Sequence, residues 1–398
     1  MSEVTSCRIC GSSIEDVFDL GVQTLASRFP SEKEPEPLSA PLVLSKCTGE
    51  CGLLQLKHTV SSSEMYTNAY GYRSGLNEIM KEHLKTIVDD FSKYLKLENG
   101  DTVVDIGSND GTLLSYYPST VKRIGIDPTC MQFKQYYDED VTLIPTFFSK
   151  EVLGDTKVKC ITSIAMFYDL PKPLEFMKDI SHVLDPLGIW IMEQSYMPTM
   201  LEMNSYDTVC HEHLEYYCFK QIEWMCKKAG LRVLDVTLNE SNGGSFRVTI
   251  CHENAPYESN QENIQMIREK DNNVDLFSFI KNSEQHKKDL YNLIVKITND
   301  GKKICIYGAS TKGNTLLQYC GIDEKFITCA AERNQYKYGC RTPGTNIPIV
   351  SEDEVRKINP EYMLVLPWHF RVGIIKRENE YLQNGGKFIF PLPFIEIV

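Results

Sequence analysis

What this chain lacks narrows its roles. Across its 398 residues no apolar run approaches the roughly 20 residues of a membrane span. Positive charge is in deficit: 42 Lys and Arg against 54 Asp and Glu leave a formal net charge of −12. That balance argues against nonspecific nucleic-acid binding, which needs a basic face, although a local pocket can still hold an anion. The first residues, Met1 to Cys7, show no basic segment followed by an apolar one, so no secretory signal is read there and a cytoplasmic location is expected. The 14 cysteines are then expected to be reduced thiols, most of them small buried hydrophobes. Low-complexity tracts are also missing. With 42% hydrophobic and 24% charged residues the composition is that of an ordinary globular protein, and the length implies two or three domains.

The first positive signal is Val103-Val104-Asp105-Ile106-Gly107-Ser108-Asn109-Asp110-Gly111-Thr112-Leu113-Leu114. It reads as a buried strand, a glycine turn and the start of a helix. In doubly wound sheets ligands bind at the carboxyl end of the first strand, where glycine lets the backbone come close. This turn is acidic and has no lysine, whereas a P-loop needs one for phosphates. About 20 residues on, Arg123-Ile124-Gly125-Ile126-Asp127 ends a second strand in an acid placed to accept hydrogen bonds from ribose hydroxyls. An adenosyl group without a pyrophosphate, as in S-adenosylmethionine, suits the pair better than NAD.

Four cysteines stand apart from the rest. Cys7-Arg8-Ile9-Cys10-Gly11 and Cys47-Thr48-Gly49-Glu50-Cys51-Gly52 form two close pairs, each followed by glycine. Four thiolates so spaced match a closed tetrahedral zinc site of structural type. The first 60 residues are too few for a large core, so a metal staple makes sense.

Near the C-terminus the strand-turn-helix plan recurs. Ile304-Cys305-Ile306-Tyr307-Gly308 reads as a strand, Gly308 to Asn314 as a turn, and Thr315 to Tyr319 as helix. Here the turn is basic and rich in hydroxyls, and Ser, Thr and Lys at a helix start attract phosphate. Between the two units lies Tyr206-Asp207-Thr208-Val209-Cys210-His211-Glu212-His213-Leu214-Glu215-Tyr216-Tyr217, a cluster of proton-carrying side chains. Histidine is best placed for proton transfer near neutral pH. The His-x-His spacing fails the His-Glu-x-x-His metalloprotease template and puts His211 and His213 on different faces of regular structure.

With these motifs and Asn242-Gly243-Gly244-Ser245-Phe246-Arg247 in order along nearly the whole chain, the sequence resembles the sugar C-methyltransferases that build branched deoxysugars. That resemblance implies a zinc module, a central S-adenosylmethionine domain of the Rossmann-like class I methyltransferase type, and a second Rossmann-like α/β domain enclosing a nucleotide-diphosphate-linked 4-keto-6-deoxy sugar. It implies that a proton leaves the carbon beside the ketone and that the resulting enolate takes the methyl group. Asp105, Gly107, Asn109, Asp110, Gly111 and Asp127 fall in the donor site. His213 is the expected base with Glu212 in support, and His211 and Cys210 complete the catalytic set. Family members acting at sugar C3 often carry tyrosine where this chain has Cys210, and the second cysteine pair is one residue longer than the common CxxC. Ser310, Thr311, Lys312, Asn314 and Arg247 are the expected substrate contacts, and Cys7, Cys10, Cys47 and Cys51 the zinc ligands.

The expected organisation is a zinc module at 1–60, the methyltransferase domain at 61–240, a strand and helical linker at 241–300, and the C-terminal α/β domain at 301–398. Two competing readings remain. A nucleotide-sugar oxidoreductase or epimerase would use the C-terminal unit, but the turn after Gly308 lacks the central glycine of GxGxxG. A non-catalytic zinc-ribbon interaction protein would tolerate changes at His213.

Overall fold

The computed structural model describes residues 1–65 and 73–398. Three main sheets organise the chain. The N-terminal one is antiparallel, built from Ile14–Thr24, Ser39–Cys47 and Leu54–Leu56. Alternation along Ser39–Cys47 buries Ala40, Leu42 and Leu44 on one face, as a half-buried strand requires. Its fourth strand, Glu215–Tyr216, comes from far along the chain and pairs with Leu54–Leu56.

The central sheet has seven strands in the order Leu231–Asn239, Ser245–His252, Leu184–Ser195, Val158–Ile164, Thr102–Ile106, Lys122–Ile126, Thr142–Ile144. Only Ser245–His252 runs antiparallel to its neighbours. Thr102–Ile106 is buried along its whole length, the pattern of a strand covered on both faces. The chain leaves it on one side and returns on the other, which makes its carboxyl end a topological switch point. The helix Glu78–Phe91 covers the sheet through Leu84, Ile87 and Phe91, and Asn77 caps it by accepting from the Ile79 amide at 3.1 Å.

Three expectations change here. The apolar run after the glycine turn makes a single 3₁₀ turn, Leu114–Tyr116, rather than an α-helix. Tyr117 is extended ahead of Pro118, whose ring disfavours helical geometry in the preceding residue. Asp185 to Gly188 does not separate a helix from a new strand. It bulges within Leu184–Ser195, with the Asp185 carboxylate accepting from the Leu187 amide at 2.9 Å. The expected linker is divided between its neighbours. Ser245–His252 sits inside the central sheet and Gln261–Asp271 packs beside it, while Leu276–Asn299 packs on the C-terminal unit. That last helix buries Phe279, Ser283, His286, Leu290, Ile294 and Ile297 as one stripe at helical spacing.

The C-terminal sheet runs Ile349–Ser351, Ala330–Glu332, Ile304–Tyr307, Tyr362–Val365, Lys387–Phe390, Glu396–Ile397, parallel except for the last strand. Its switch point falls beside Ile304–Tyr307. One apolar core joins this sheet to the N-terminal module through Phe18, Leu20, Leu42 and Leu44. A second joins the cysteine pairs to the central sheet through Phe167, Phe176 and Trp190. The N-terminal module is thus wedged against both α/β units. The carboxyl ends of both parallel sheets open onto one cavity of about 1050 Å³.

Candidate active site

The central sheet supplies one wall. Gly107 takes φ +75 and Asn109 takes φ +50, left-handed values that turn the chain sharply at the strand end. Asp127 is held before any ligand arrives: its Oδ2 accepts from the Asn109 amide at 2.9 Å, and its Oδ1 from the Thr129 amide and hydroxyl at 2.6 Å each. The Asp105 carboxylate accepts from the Thr162 hydroxyl at 2.6 Å, and burial pushes its pKa up to about 7. Asn109 and Asp110, both buried, reach across to residues 73–75 instead. They accept from the Ser74 and Gly75 amides at 2.9 Å, and the Arg73 guanidinium lies 3.3 Å from Asp110. Asp105, Gly107, Asn109, Asp110 and Asp127 all line the cavity. Gly111 does not. A Cβ there would lie 2.5 Å from the Tyr137 ring, so its role is to admit Tyr137, whose hydroxyl donates to the Asn109 carbonyl at 2.7 Å.

The segment around His213 forms the floor. His213 Nδ1 lies 2.7 Å from the Thr208 carbonyl oxygen. A carbonyl can only accept, so Nδ1 carries the proton and Nε2 keeps its lone pair. Burial, with the Lys312 charge second, lowers its pKa to about 4. The ring is therefore neutral at pH 7, its centroid 4.2 Å from that of Tyr168 with the two planes tilted by 57°. Glu212 is buried, and neither carboxylate oxygen finds a hydrogen-bond partner among the described residues. Cys210 lies on the cavity wall with its thiol pKa raised by burial. His211 faces away, its Nε2 3.0 Å from the Ala40 carbonyl of the N-terminal sheet, and is not on the cavity. The His-x-His spacing therefore separates a site residue from a packing residue.

The C-terminal unit supplies the other wall. Ser310 caps the helix Thr311–Cys320 by accepting from the Gly313 amide at 3.0 Å. Ser310, Thr311 and Lys312 line the cavity, and Lys312 Nζ donates to the Asn242 carbonyl at 2.8 Å. Asn314 and Arg247 do not reach it. Asn314 is fully buried and donates to the Ala26 carbonyl at 2.6 Å, clipping the N-terminal module to the helix. Arg247 lies in the central sheet, where its guanidinium meets Glu193 at 2.8 Å, Thr86 at 3.1 Å and Asp90. The Asn-Gly-Gly-Ser-Phe-Arg motif thus contributes a loop to the site and an internal counter-ion to the sheet.

Several lining residues escaped the sequence reading. Glu332 closes the second strand of the C-terminal sheet, as Asp127 closes that of the central one. The sequence marks a strand over Ile327 to Ala331, one residue short of Glu332, and the acid that ends it was the signal left unread. Lys337 stands 3.7 Å from Glu332. His369, beside Trp368, has its pKa pushed down to about 3 by burial and then by Lys312. Trp368 donates to the buried Asp207 carboxylate at 2.8 Å.

The four N-terminal cysteines come together. Cys10 Sγ lies 3.2 Å from Cys51 and 3.5 Å from Cys47, and Cys7 Sγ lies 3.5 Å from Cys51. Zinc–thiolate bonds of about 2.3 Å put tetrahedral sulfurs roughly 3.8 Å apart, and all four sulfurs here lie within 4.8 Å of one another. The donor set fits a structural zinc ion, with no position left for a substrate.

Residues 7–66 match a zinc binding domain, residues 76–236 a methyltransferase domain and residues 240–393 the C-methyltransferase C-terminal domain. The C-methyltransferase NovU of Streptomyces niveus is 29% identical over 405 residues, covering 98% of this chain and 96% of its own. Among solved structures, a S-adenosylmethionine-dependent methyltransferase from Clostridium acetobutylicum overlaps 43% of this chain and 91% of its own at 12% identity and TM-score 0.35. The mitomycin 7-O-methyltransferase MmcR overlaps 44% and 55% at 11% identity and TM-score 0.36. Both overlaps stop short of half the chain, whereas the three matched domains and the full-length relative run from one end to the other. The chain is thus an S-adenosylmethionine-dependent C-methyltransferase whose zinc-binding, methyltransferase and C-methyltransferase C-terminal domains follow one another along the sequence.

Proposed function

We propose that this enzyme methylates the carbon beside the ketone of a nucleotide-diphosphate-linked 4-keto-6-deoxy sugar. The observation that carries the reading is one cavity with two unlike walls and a neutral histidine between them. The acidic wall, with Asp127 for the ribose hydroxyls, suits a cationic sulfonium nucleoside. The opposite wall suits an anion: Ser310 and Thr311 open a helix, and a helix start favours negative charge. Glu332 would accept from the substrate's own ribose.

S-adenosylmethionine supplies an electrophilic methyl group when bound. The chain's work is to make the acceptor carbon nucleophilic. His213 Nε2 takes the proton, with the Thr208 carbonyl fixing the tautomer that leaves Nε2 free. Glu212, buried and unpartnered beside the ring, offsets the positive charge the imidazole gains. The enclosing walls exclude water and hold the two ligands in line, which supplies much of the rate enhancement in a two-ligand transfer.

The test is incubation with S-adenosylmethionine and a panel of nucleotide-linked 4-keto-6-deoxy sugars, followed by mass detection of one added methylene. Donor binding without methylation of any panel member would overturn the substrate class and leave the enzyme class standing.

A further inference from the structure

Removing a proton beside a ketone leaves negative charge on the ketone oxygen, and a dry site must hold that charge. Five cationic side chains line the cavity: Arg73, Lys312, Arg333, Lys337 and Arg377. Arg73 is committed to Asp110 and lies 3.9 Å over the Tyr136 ring. Lys337 is held by the Ala309 carbonyl at 2.8 Å and by Glu332. Arg377 is held by Glu352 and the Tyr307 hydroxyl. Arg333 is exposed, next to Glu332 at the end of the strand Ala330–Glu332.

Lys312 differs from these four. It is half-buried and makes one hydrogen bond, to the Asn242 carbonyl at 2.8 Å, and among the described residues it meets no carboxylate at salt-bridge distance. An ammonium has three donors, so two remain for a ligand. Asn242 belongs to a loop of the central unit with φ +55, and this carbonyl draws the lysine across the cavity toward the floor. The charge is accordingly felt at His213 and His369; burial lowers the Lys312 pKa from its ordinary value, and Asp207, beyond contact distance, acts against that fall and favours the ammonium. Cys210, on the same stretch of wall, offers only a weak S–H donor.

We propose that Lys312 is a catalytic residue whose ammonium binds the substrate's ketone oxygen and stabilises the enolate formed when His213 takes the neighbouring proton. The inference rests on the substrate reading above and moves Lys312 from the diphosphate to the reacting carbonyl. The step balances. The C–H pair becomes the new C=C bond as the proton goes to His213 Nε2, and the carbonyl π pair moves onto the oxygen held by Lys312. The enolate carbon then bonds to the donor methyl, the C–S pair stays on sulfur, C=O re-forms, and His213 returns its proton to solvent.

Lys312→Gln keeps a donor for the Asn242 carbonyl and removes the charge. In an enzyme whose wild type methylates a panel sugar, it should lower kcat about 100- to 1,000-fold, the usual cost of losing one oxyanion donor. Exchange of the substrate's acidic proton with deuterated water should fall in parallel, while donor and substrate affinities stay close to wild type. Lys312→Arg should recover a substantial part of kcat. A raised KM with unchanged kcat would return Lys312 to the diphosphate, and no recovery in Lys312→Arg would reduce it to a domain tie; either result overturns the proposal. Wild-type enzyme allows a measurement that does not depend on variant folding: the carbonyl stretch of the bound ketone should shift to lower frequency than in solution. An unshifted stretch refutes the assignment. A wild type that methylates nothing in the panel defeats the substrate reading and this inference together, whereas active wild type with fully active Lys312→Gln defeats this inference alone.

Discussion

The central and C-terminal units share a plan and differ in charge. Each places a parallel strand, a glycine turn and a second strand ending in an acid at the edge of one cavity. After Gly107 the chain presents Asn109 and Asp110 and makes only a 3₁₀ turn. After Gly308 it presents Ser310, Thr311 and Lys312 and runs into a capped helix. Asp127 has three donors, the Asn109 amide of the glycine turn and the amide and hydroxyl of Thr129 in its own turn. Glu332 accepts from the Arg333 and Asn334 amides and is also approached by Lys337. A common scaffold thus yields one wall for a cation and another for an anion, because a few residues after the first strand decide the sign.

The largest effect should come from the residue belonging to neither wall. His213→Asn should lower kcat by about 100- to 10,000-fold, the range typical of a lost general base. Both ligands should still bind, as calorimetry would show. Loss of either affinity would mean that the histidine shapes a wall instead of acting between two.

The walls themselves separate at the next level. Asp127→Ala should weaken donor binding by about 1.5–3 kcal/mol, as expected for a charged hydrogen-bond acceptor, with substrate affinity unchanged. Glu332→Ala should do the reverse, at about 1 kcal/mol in substrate binding for a less enclosed carboxylate. Any exchange of these two phenotypes in equilibrium titrations would invert the assignment of ligands to walls.

The last test concerns stability, not turnover or affinity. His213 and His369 sit where the walls meet, with pKa values lowered from 6.5 to about 4 and about 3 by burial and then by Lys312. The unfolded chain binds protons at these sites near pH 6.5 and the folded chain does not. Their contribution is therefore fully present above pH 6.5 and is lost as pH falls toward 4. Thermal melting from pH 7 to 4 should show this decline, and His369→Asn should flatten it. A slope unchanged in that variant would show that His369 is not among the groups responsible.

Some of this was legible in the sequence and some was not, for identifiable reasons. The glycine turn, Asp127 and the two cysteine pairs declare themselves within a few residues, because a sharp turn, a strand end and a zinc knuckle are local geometries. Arg247 and Asn314 misled because a polar residue in a motif can serve packing as readily as chemistry: Glu193 and Asp90 neutralise the first, and the Ala26 carbonyl engages the second. Gly111 belonged to the right turn, but it makes room for Tyr137 and does not line the cavity. Lys312 was visible as a residue and not as an address, since its position depends on a carbonyl contributed by the other α/β unit. Pro118 carried the signal that no α-helix follows the first turn, and the apolar run before it was given more weight.

The strand Glu215–Tyr216 closes the N-terminal sheet from a point just past the middle of the chain, two residues past His213. During synthesis the edge at Leu54–Leu56 therefore waits, unpaired, until residue 216 has left the ribosome. An unpaired apolar edge is a template for aggregation, and a partner so distant in sequence makes closure slow. A fragment ending at residue 60 would carry the zinc ligands and still leave that edge open. The same delayed closure ties the moment at which the first module becomes complete to the moment at which the catalytic histidine takes its place.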